Sequence, residues 1–561
     1  MIDLGPSAAV RRAAHLGARL ACASTAQRFE VALGDLRATQ LAALRRILSG
    51  IDRTERARQL GLSAGMSPEQ FRRSVPECSY SDVARDIDEQ RASGRCVLTN
   101  DACARYQPTS GSTSTEKWIP YTQSFLGELD QAIGAWGHDL YARYPGIRCG
   151  RHYWSMSWIP TSMRGQLPSN VADDRALLSR SKRMMSWLTS AVPAWVSYTA
   201  TSQASVFATV CFLVSANDLS LLSVWSPTFA LNLLDQLGKW REAIAEVFER
   251  GAWPSAMGAF PGKPPMRARR AAALLRSWDG EATSDFFKEL WPKLALISSW
   301  DTGSSARWAA RLAGLFPQAS FQGKGLWATE GVVTIPYRER YPLAVLSHFF
   351  EFVDLDTDKP LFAWELKSGQ MVRPLLTTGS GLLRYRLEDR LRVTELLHGT
   401  PCFEFVGRLA GVDLVGEKMS PDMARFALET VAQDSDCIPL TLLAVTNPIG
   451  TEKPCFVALC EGRSDQPSHK SNSRSWILEQ SLRHAFHYNL ARDLGQLGPA
   501  QVLVRPDARR LYADLGALRG ITAGNLKLES LILCAGKEAA RRLTLSTVLQ
   551  DNNVIDSTPA A

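Results

Sequence analysis

The sequence predicts an α/β protein of two domains: a large N-terminal domain with mixed sheets and helices, and a smaller α+β domain at the C-terminal end. Three observations carry this reading. The chain has 561 residues, too long for one compact core. Residues 294–337 read as strand, helix, strand, strand, the order of a βαβ crossover onto a partly parallel sheet. Past about Arg408 the texture changes to an α+β module, so the domains are read as 1–405 and 406–561.

Each element has its own signal. Residues 8–75 place apolar residues at helical spacing, as in FEVALGDLRATQLAALRRIL. Cys96–Thr99 and Trp118–Tyr121 are expected to be short extended pieces flanking the loop PTSGSTSTEK, and the helical pattern resumes from Ser124 to about Tyr144. Residues 205–250 give an apolar segment, a break at Ser226-Pro227 and a second amphipathic helix. A surface loop at 261–270 runs into a basic helix start. The run 294–300 (LALISSW) is a buried strand, 304–316 a helix, and 319–324 and 331–337 are further strands. From 345 to 396 the chain reads as successive strands, including RPLLTT, GLLRYRL and RLRVTEL. Beyond 408 come a helix at 421–431, strands at 440–445 and 455–460, a polar loop at 462–475, one long helix at 475–491 and a last strand at 501–506.

Composition narrows the function. Hydrophobic residues make up 45% and charged residues 21%, an ordinary globular balance that excludes disordered, collagenous and simple repeat proteins. A formal net charge of +8 spread over this length is too weak to argue for a nucleic-acid partner. The 11 cysteines show no CxxC, which excludes a disulfide scaffold or zinc ribbon; Cys455 and Cys460 flank FVAL as small core residues. His15 and Arg19 interrupt the N-terminal apolar stretch, which reads as an amphipathic helix rather than a signal peptide. The longest apolar run, 207–216, meets Asn217-Asp218 and is too short to span a bilayer. The expectation is a reduced, cytoplasmic enzyme with no membrane partner. His484 and His487 lie three apart without a third ligand and read as a solvated helix face.

Three segments carry chemistry. In Thr109-Ser110-Gly111-Ser112-Thr113-Ser114-Thr115-Glu116-Lys117, hydroxyls and a glycine crowd a loop that a lysine closes. Such a loop can offer N–H groups, hydroxyls and an ammonium to phosphate oxygens, although a surface Ser/Thr turn has the same composition. In Lys324-Gly325-Leu326-Trp327-Ala328-Thr329-Glu330-Gly331, Glu330 sits in a loop at a strand end, where a carboxylate can help hold Mg²⁺ against a nucleotide phosphate or simply face solvent. In Gly381-Leu382-Leu383-Arg384-Tyr385-Arg386-Leu387-Glu388-Asp389, Asp389 follows a strand and suits two ribose hydroxyls; an Arg/Asp cross-strand pair is the plainer alternative.

Together, the order TSGST…K, ATEG, RYRxxD resembles the Gretchen Hagen (auxin-responsive promoter) family of acyl-acid amido synthetases, bacterial-type members included, within the firefly-luciferase-like adenylate-forming group. Further family-like stretches are SVWSPTFALNLLDQL (223–237), WPKLALISSWDTGSSA (291–306) and FEFVGRLAGVDLVGEKMS (403–420), so the resemblance runs from about 27 to 530. It implies that Ser110, Gly111, Ser112, Thr113 and Lys117 meet ATP phosphates, that Glu330 serves Mg²⁺ and catalysis, and that Asp389 takes the ribose. Gly303, Ala328 and Thr329 would border the adenine. Arg408 would mark the hinge to a mobile small domain, in which Lys527 approaches the reacting carboxylate or phosphate. The acyl pocket is expected from Trp154, Trp158, Val224 and Trp225, within or near 153–158 and 224–228.

The lysines give independent support. The 64 basic residues divide into 14 lysines and 50 arginines, yet Lys117, Lys324, Lys418 and Lys527 all fall inside these motifs. Ser114 and Glu388 stand where relatives usually carry glycine. The implied reaction uses ATP and Mg²⁺ to convert a carboxylic acid to an acyl adenylate, releasing pyrophosphate, and an amine or amino acid then displaces AMP. A thioester-forming acyl-CoA ligase and a non-catalytic nucleotide-binding relative are the alternatives. No carrier domain is indicated.

Overall fold

The computed structural model describes residues 7–109, 117–156, 158–159, 164, 179–266, 268–409, 411–412, 414–415, 417, 419–433, 437–446, 453–463, 469–493, 496–519, 521, 524 and 526–534. They form two compact units, one running to Val406 and the other from Gly407. The fold is mixed α/β throughout.

In the first unit, the helices Ala8–Gly34 and Leu36–Ile51 cover the N-terminal side and are followed by shorter ones ending with Tyr80–Ser93. Strands β1 (Cys103–Thr109) and β2 (Lys117–Thr122) then pair antiparallel on either side of the hydroxyl-rich loop. The first flanking strand is therefore 103–109 and not the expected 96–99. The backbone N–H of Leu98 is instead taken by the Gln90 side chain, which pins that stretch as a loop against its preceding helix. Thr122 ends β2 and starts the helix Gln123–Arg143 with no connector. Its hydroxyl caps the helix by accepting from the Phe125 N–H at 3.1 Å and donates to the Gly379 carbonyl at 2.9 Å.

A parallel sheet follows. Its strands β3 (Arg151–Trp154), β4 (Leu219–Ser223), β5 (Leu296–Ser299) and β6 (Ser320–Gly323) lie side by side in that order. The helix Ala306–Gly314 makes the anticipated crossover from β5 to β6. β3 takes in the start of the 153–158 stretch, with Tyr153 buried. Of the expected strand 331–337, only Gly331–Val332 is strand: β7 (Trp327–Ala328) and β8 (Gly331–Val332) form a tight hairpin. Strands β9 (Phe349–Asp354), β10 (Pro360–Phe362), β11 (Met371–Thr377), β12 (Tyr385–Arg386), β13 (Asp389–Leu397) and β14 (Thr400–Arg408) build a second sheet of six strands.

The second unit carries a four-stranded sheet in the order β17-β16-β15-β18, from β15 (Ile438–Val445), β16 (Cys455–Glu461), β17 (Gln501–Arg505) and β18 (Leu531–Cys534). β15 and β16 are antiparallel, and the outer pairings are parallel. Its core packs Leu442, Phe456 and Ala458 against Leu428, Leu478 and Tyr488. The expected single helix at 475–491 is two helices, His469–Leu482 and Phe486–Asp493, so His484 and His487 do not share one helix face. Arg483, at i+4, and Arg492, beyond the turn, both pair with the Glu479 carboxylate. All eleven cysteines are free thiols. No helix among the described residues is long and apolar enough to cross a membrane.

One buried carboxylate ties the first unit together. Glu128 accepts from Nδ1–H of His348 at 2.8 Å and from the Gly379 N–H at 3.0 and 3.1 Å, and it lies 3.4 Å from Arg46. His348 Nε2 in turn accepts from the Val332 N–H at 3.1 Å, which fixes the proton on Nδ1. Glu128→Ala should lower stability by about 2–4 kcal/mol, because it strands two buried donors. Arg46→Ala should cost under about 1 kcal/mol, since that arginine is half exposed. Urea unfolding midpoints test the pair, and similar midpoints for both variants would count against this assignment.

Candidate active site

Parallel strands all end on one edge, and that edge is where an α/β sheet leaves a crevice for ligands. Here β3 ends at Trp154, β4 at Ser223 and β6 at Gly323, and the chain beyond β4 and β6 places Trp225, Lys324 and Trp327 alongside. Together with Trp136 and Tyr141 from the helix Gln123–Arg143 they line a cavity of about 100 Å³. Its walls are ring against ring: Trp136 meets Trp154 at 5.9 Å and Trp327 at 6.0 Å, and Trp225 meets Trp327 at 5.9 Å and Trp300 at 5.5 Å. Lys324, buried, donates to Ser223 Oγ at 2.7 Å and lies 4.6 Å from the Trp225 ring centre, 5.0 Å from Trp136 and 5.9 Å from Trp154. Lys182 also lines the cavity, paired with Asp130 at 2.8 Å.

The two expected residues Trp154 and Trp225 thus line the cavity. Val224 is buried one residue before Trp225, and Trp158 donates its indole N–H to the Thr199 carbonyl; neither belongs to the cavity wall. Trp136, Trp327 and Lys182 were not anticipated there. Trp136 lies on the helix after the first motif and is read from sequence only as part of an apolar helical face.

Three residues beyond Trp327 the β7–β8 hairpin turns at Thr329-Glu330. Tyr121 donates to the Thr329 carbonyl at 3.0 Å, and Tyr385 donates to Glu330 Oε1 at 3.3 Å. Behind the turn, a Cβ on Gly331 would come within 2.9 Å of His348 Nε2, so β8 lies tight against the Glu128-anchored imidazole. Glu330 is half-buried, and burial together with the Glu330 carboxylate drives the Tyr385 phenol far above its ordinary range. Tyr385 thereby remains a hydrogen-bond donor at any working pH.

The remaining candidates lie elsewhere in the first unit and in the second unit. Lys117 opens β2 with its Nζ 5.7 Å from the Tyr80 ring centre. Asp389 is buried at the first position of β13, and Ala328 ends β7. Gly303 follows β5 with φ +56°, where a side chain would be strained and its Cβ would lie 3.3 Å from the Phe405 ring. Arg384 does not pair with Asp389: it is buried against Glu351 at 2.9 Å. Glu388 is ion-paired with Arg386 at 2.9 Å, so the charge it carries is met two residues away, and its φ is not among the positive ones. In the second unit Arg408 lies 3.6 Å from Glu529. The segment holding Lys527 is fixed by Tyr512, which donates to the Lys527 carbonyl at 2.6 Å and accepts from the Glu529 N–H at 3.0 Å. Ser110, Gly111, Ser112, Thr113, Ser114 and Lys418 lie outside the described residues.

The profile of the GH3 family N-terminal domain matches residues 25–321, and that of the GH3 family central domain matches residues 341–408. The chain belongs to the GH3 family. Indole-3-acetic acid-amido synthetase GH3.15 of Arabidopsis thaliana is 24% identical over 405 residues, 66% of this chain and 67% of that protein. A GH3 domain-containing protein of Homo sapiens is 28% identical over 279 residues, 46% of this chain, which spans about half (52%) of the human protein. The solved structure of GH3.15 acyl acid amido synthetase shares the fold with a TM-score of 0.76 at 19% identity, covering 92% of this chain and 95% of that one. Its complex with 2,4-DB gives 0.75 at 19% identity, covering 94% and 96%. In this GH3 chain the hairpin carrying Glu330 and the tryptophan-lined cavity share one short stretch, 324–330, and Asp389 opens a strand of the neighbouring sheet.

On the cavity wall, His152 donates from Nε2 to the Ile147 carbonyl at 2.8 Å, and its ring lies 4.5 Å from that of His15. Burial pushes the His152 imidazole down to about 3 and lowers His15 as well. Their unfolded values lie near 6.5, so the unfolded chain binds protons that the folded one refuses, and stability is whole above about pH 6.5 and lost as pH falls toward 3. His152 alone should withdraw about 2 kcal/mol between pH 7 and pH 5. Its NMR ring signals should stay neutral at pH 5; a midpoint near 6 would contradict the burial argument.

Proposed function

We propose that this chain is an ATP-dependent acyl-acid amido synthetase that adenylates a carboxylic acid and transfers the acyl group to an amine or amino acid. The observation that carries the reading is the 324–330 stretch, which puts one wall of an aromatic cavity and a held carboxylate at the same sheet edge. Relatives named indole-3-acetic acid-amido synthetases, and one solved with 2,4-DB, support small-molecule acids as substrates.

The chemistry follows from charge. A carboxylate cannot lose oxide, so its oxygen attacks the α-phosphorus of ATP; the bond to the bridging oxygen breaks and pyrophosphate leaves. The amine then adds to the acyl carbon, AMP leaves with the former carboxylate oxygen, and the nitrogen loses a proton. Ser110, Gly111, Ser112, Thr113 and Lys117 are the proposed phosphate contacts. Gly303, Ala328 and Thr329 border the base, and Asp389 takes the ribose hydroxyls. Glu330 fits Mg²⁺, a hard cation usually held by one or two carboxylates plus phosphates. When bound, Mg²⁺ would neutralise phosphate charge. Tyr385 orients the Glu330 carboxylate, and Tyr121 holds the turn by the Thr329 carbonyl. Trp154 and Trp225, and with them Trp158 and Val224, are the proposed residues of the acyl side. We assign ATP and acid binding to 1–405, and to 406–561 a mobile unit supplying Lys527, with Arg408 at the hinge. Eleven free thiols support a reducing, cytoplasmic setting.

Hydroxylamine trapping with MgATP and a panel of carboxylic acids tests the reading. Acid-dependent hydroxamate is expected, with Asp389→Ala and Glu330→Gln each losing on the order of a hundredfold in kcat/KM and Lys527→Ala impaired. Product mass after adding amino acids or coenzyme A separates amide from thioester. No hydroxamate from any acid, together with no ATP binding by calorimetry, would overturn the proposal.

A further inference from the structure

A lysine that must meet a reacting group carries its ammonium on a flexible four-carbon stem, so its aim depends on how firmly its backbone is held. Lys527 lies in a stretch, 526–529, that is neither helix nor strand and leads into β18. Leu526 and Leu528 are buried on either side of it, while Lys527 itself is half-buried. The helix Ala508–Leu518 supplies the hold. Tyr512 and Gly516 are four apart and share one face of that helix. At Gly516 a Cβ would come within 2.6 Å of the Leu526 side chain, so glycine lets the stretch lie close against the helix.

Tyr512 is buried, and its one hydroxyl closes two backbone bonds across Leu528. It donates to the Lys527 carbonyl at 2.6 Å and accepts from the Glu529 N–H at 3.0 Å. Burial together with the Glu529 carboxylate drives the phenol far above its ordinary range, so it stays a donor. The Glu529 side chain is paired in turn with Arg519, just past the same helix, at 2.9 Å, and lies 3.6 Å from Arg408. Filling the core needs only the ring of Tyr512; the hydroxyl is spent on the backbone that carries the lysine.

We infer that Tyr512 is a positioning residue: its hydroxyl holds the backbone on both sides of Leu528 and so aims Lys527 at the reacting carboxylate or phosphate. This rests on the role proposed above for Lys527. Tyr512 acts through the lysine and not on substrate. Losing the hydroxyl lets the stretch sample other orientations, which lowers the fraction of complexes with the ammonium in place and leaves ATP affinity alone.

The test uses the full chain with MgATP, hydroxylamine and whichever acid of the hydroxamate panel reacts best. Tyr512→Phe should lower kcat about tenfold with the KM for ATP unchanged within about twofold. In the Lys527→Ala background, Tyr512→Phe should cost nothing further, because the group it aims is gone. An equal loss in both backgrounds would mark a packing role and overturn the inference, as would full activity in Tyr512→Phe; either result leaves the ligase reading standing. Wild-type activity in Lys527→Ala would remove the role of the lysine and the inference with it. Should Tyr512→Phe fail to fold, Glu529→Gln, which loosens the same stretch by removing its pairing with Arg519, goes through the same two backgrounds. A second readout needs no turnover and serves also where Lys527→Ala is inactive: acetylation of Lys527 by acetic anhydride, read by mass spectrometry with and without MgATP, against the exposed Lys239 and Lys263 as references. MgATP should protect Lys527 in wild type and protect it less in Tyr512→Phe. Equal protection in the two proteins would overturn the inference. Unequal protection with no hydroxamate from any acid would sustain it and remove the adenylating role.

Discussion

The Glu128 carboxylate is the constraint on which the first unit depends. It projects from a helix that begins directly after β2, and it binds groups more than two hundred residues away: the His348 imidazole before β9 and the Gly379 N–H after β11. Through His348 Nε2 it reaches the backbone of β8. A buried carboxylate is unfavourable unless every oxygen finds a donor. Once satisfied, it permits only one arrangement of those pieces, and two of them lead to proposed site residues. β8 follows the Glu330 turn, and the Gly379 turn precedes the strands that lead to Asp389.

A second constraint is the parallel sheet. Register places Trp154 beside Ser223, and Ser299 beside Gly323, so segments distant in sequence deliver their next residues to one edge. Tryptophan is well suited to that place because it buries a large apolar face while its N–H reaches a partner, as Trp136 does at Gln322. Lys324 sits among these rings with its ammonium donating to Ser223 Oγ at 2.7 Å.

Several features that look uncertain in the sequence become simple in three dimensions. Glu388 adds charge where relatives carry glycine, but Arg386 pairs with it across the strand end. Arg384 could pair with Asp389 by spacing alone; instead it is drawn into the interior by Glu351 and the Val75 carbonyl at 2.7 Å. The helical pattern over 475–491 is continuous in sequence because both halves bury apolar residues against the same sheet. The break lets Arg492 reach the same Glu479 carboxylate as Arg483, a pairing that periodicity does not register. Likewise, 96–99 has strand-like residues, but Gln90 satisfies its backbone before a neighbouring strand can.

By itself the sequence determined the α/β class, most helices and strands and the βαβ crossover, and it singled out Glu330, Asp389 and Lys527 as candidates, because periodicity, turn chemistry and motif spacing are local properties. Tertiary structure alone decided which side chains share a space. Trp136 and Trp327 are 191 positions apart, and Glu128 and His348 are 220 apart. No local signal links such pairs, since they meet only when strand register and helix packing bring their elements together. The position of Lys324 is of that kind: its rarity as a lysine is visible in the sequence, whereas its place among three tryptophans follows from where four parallel strands end.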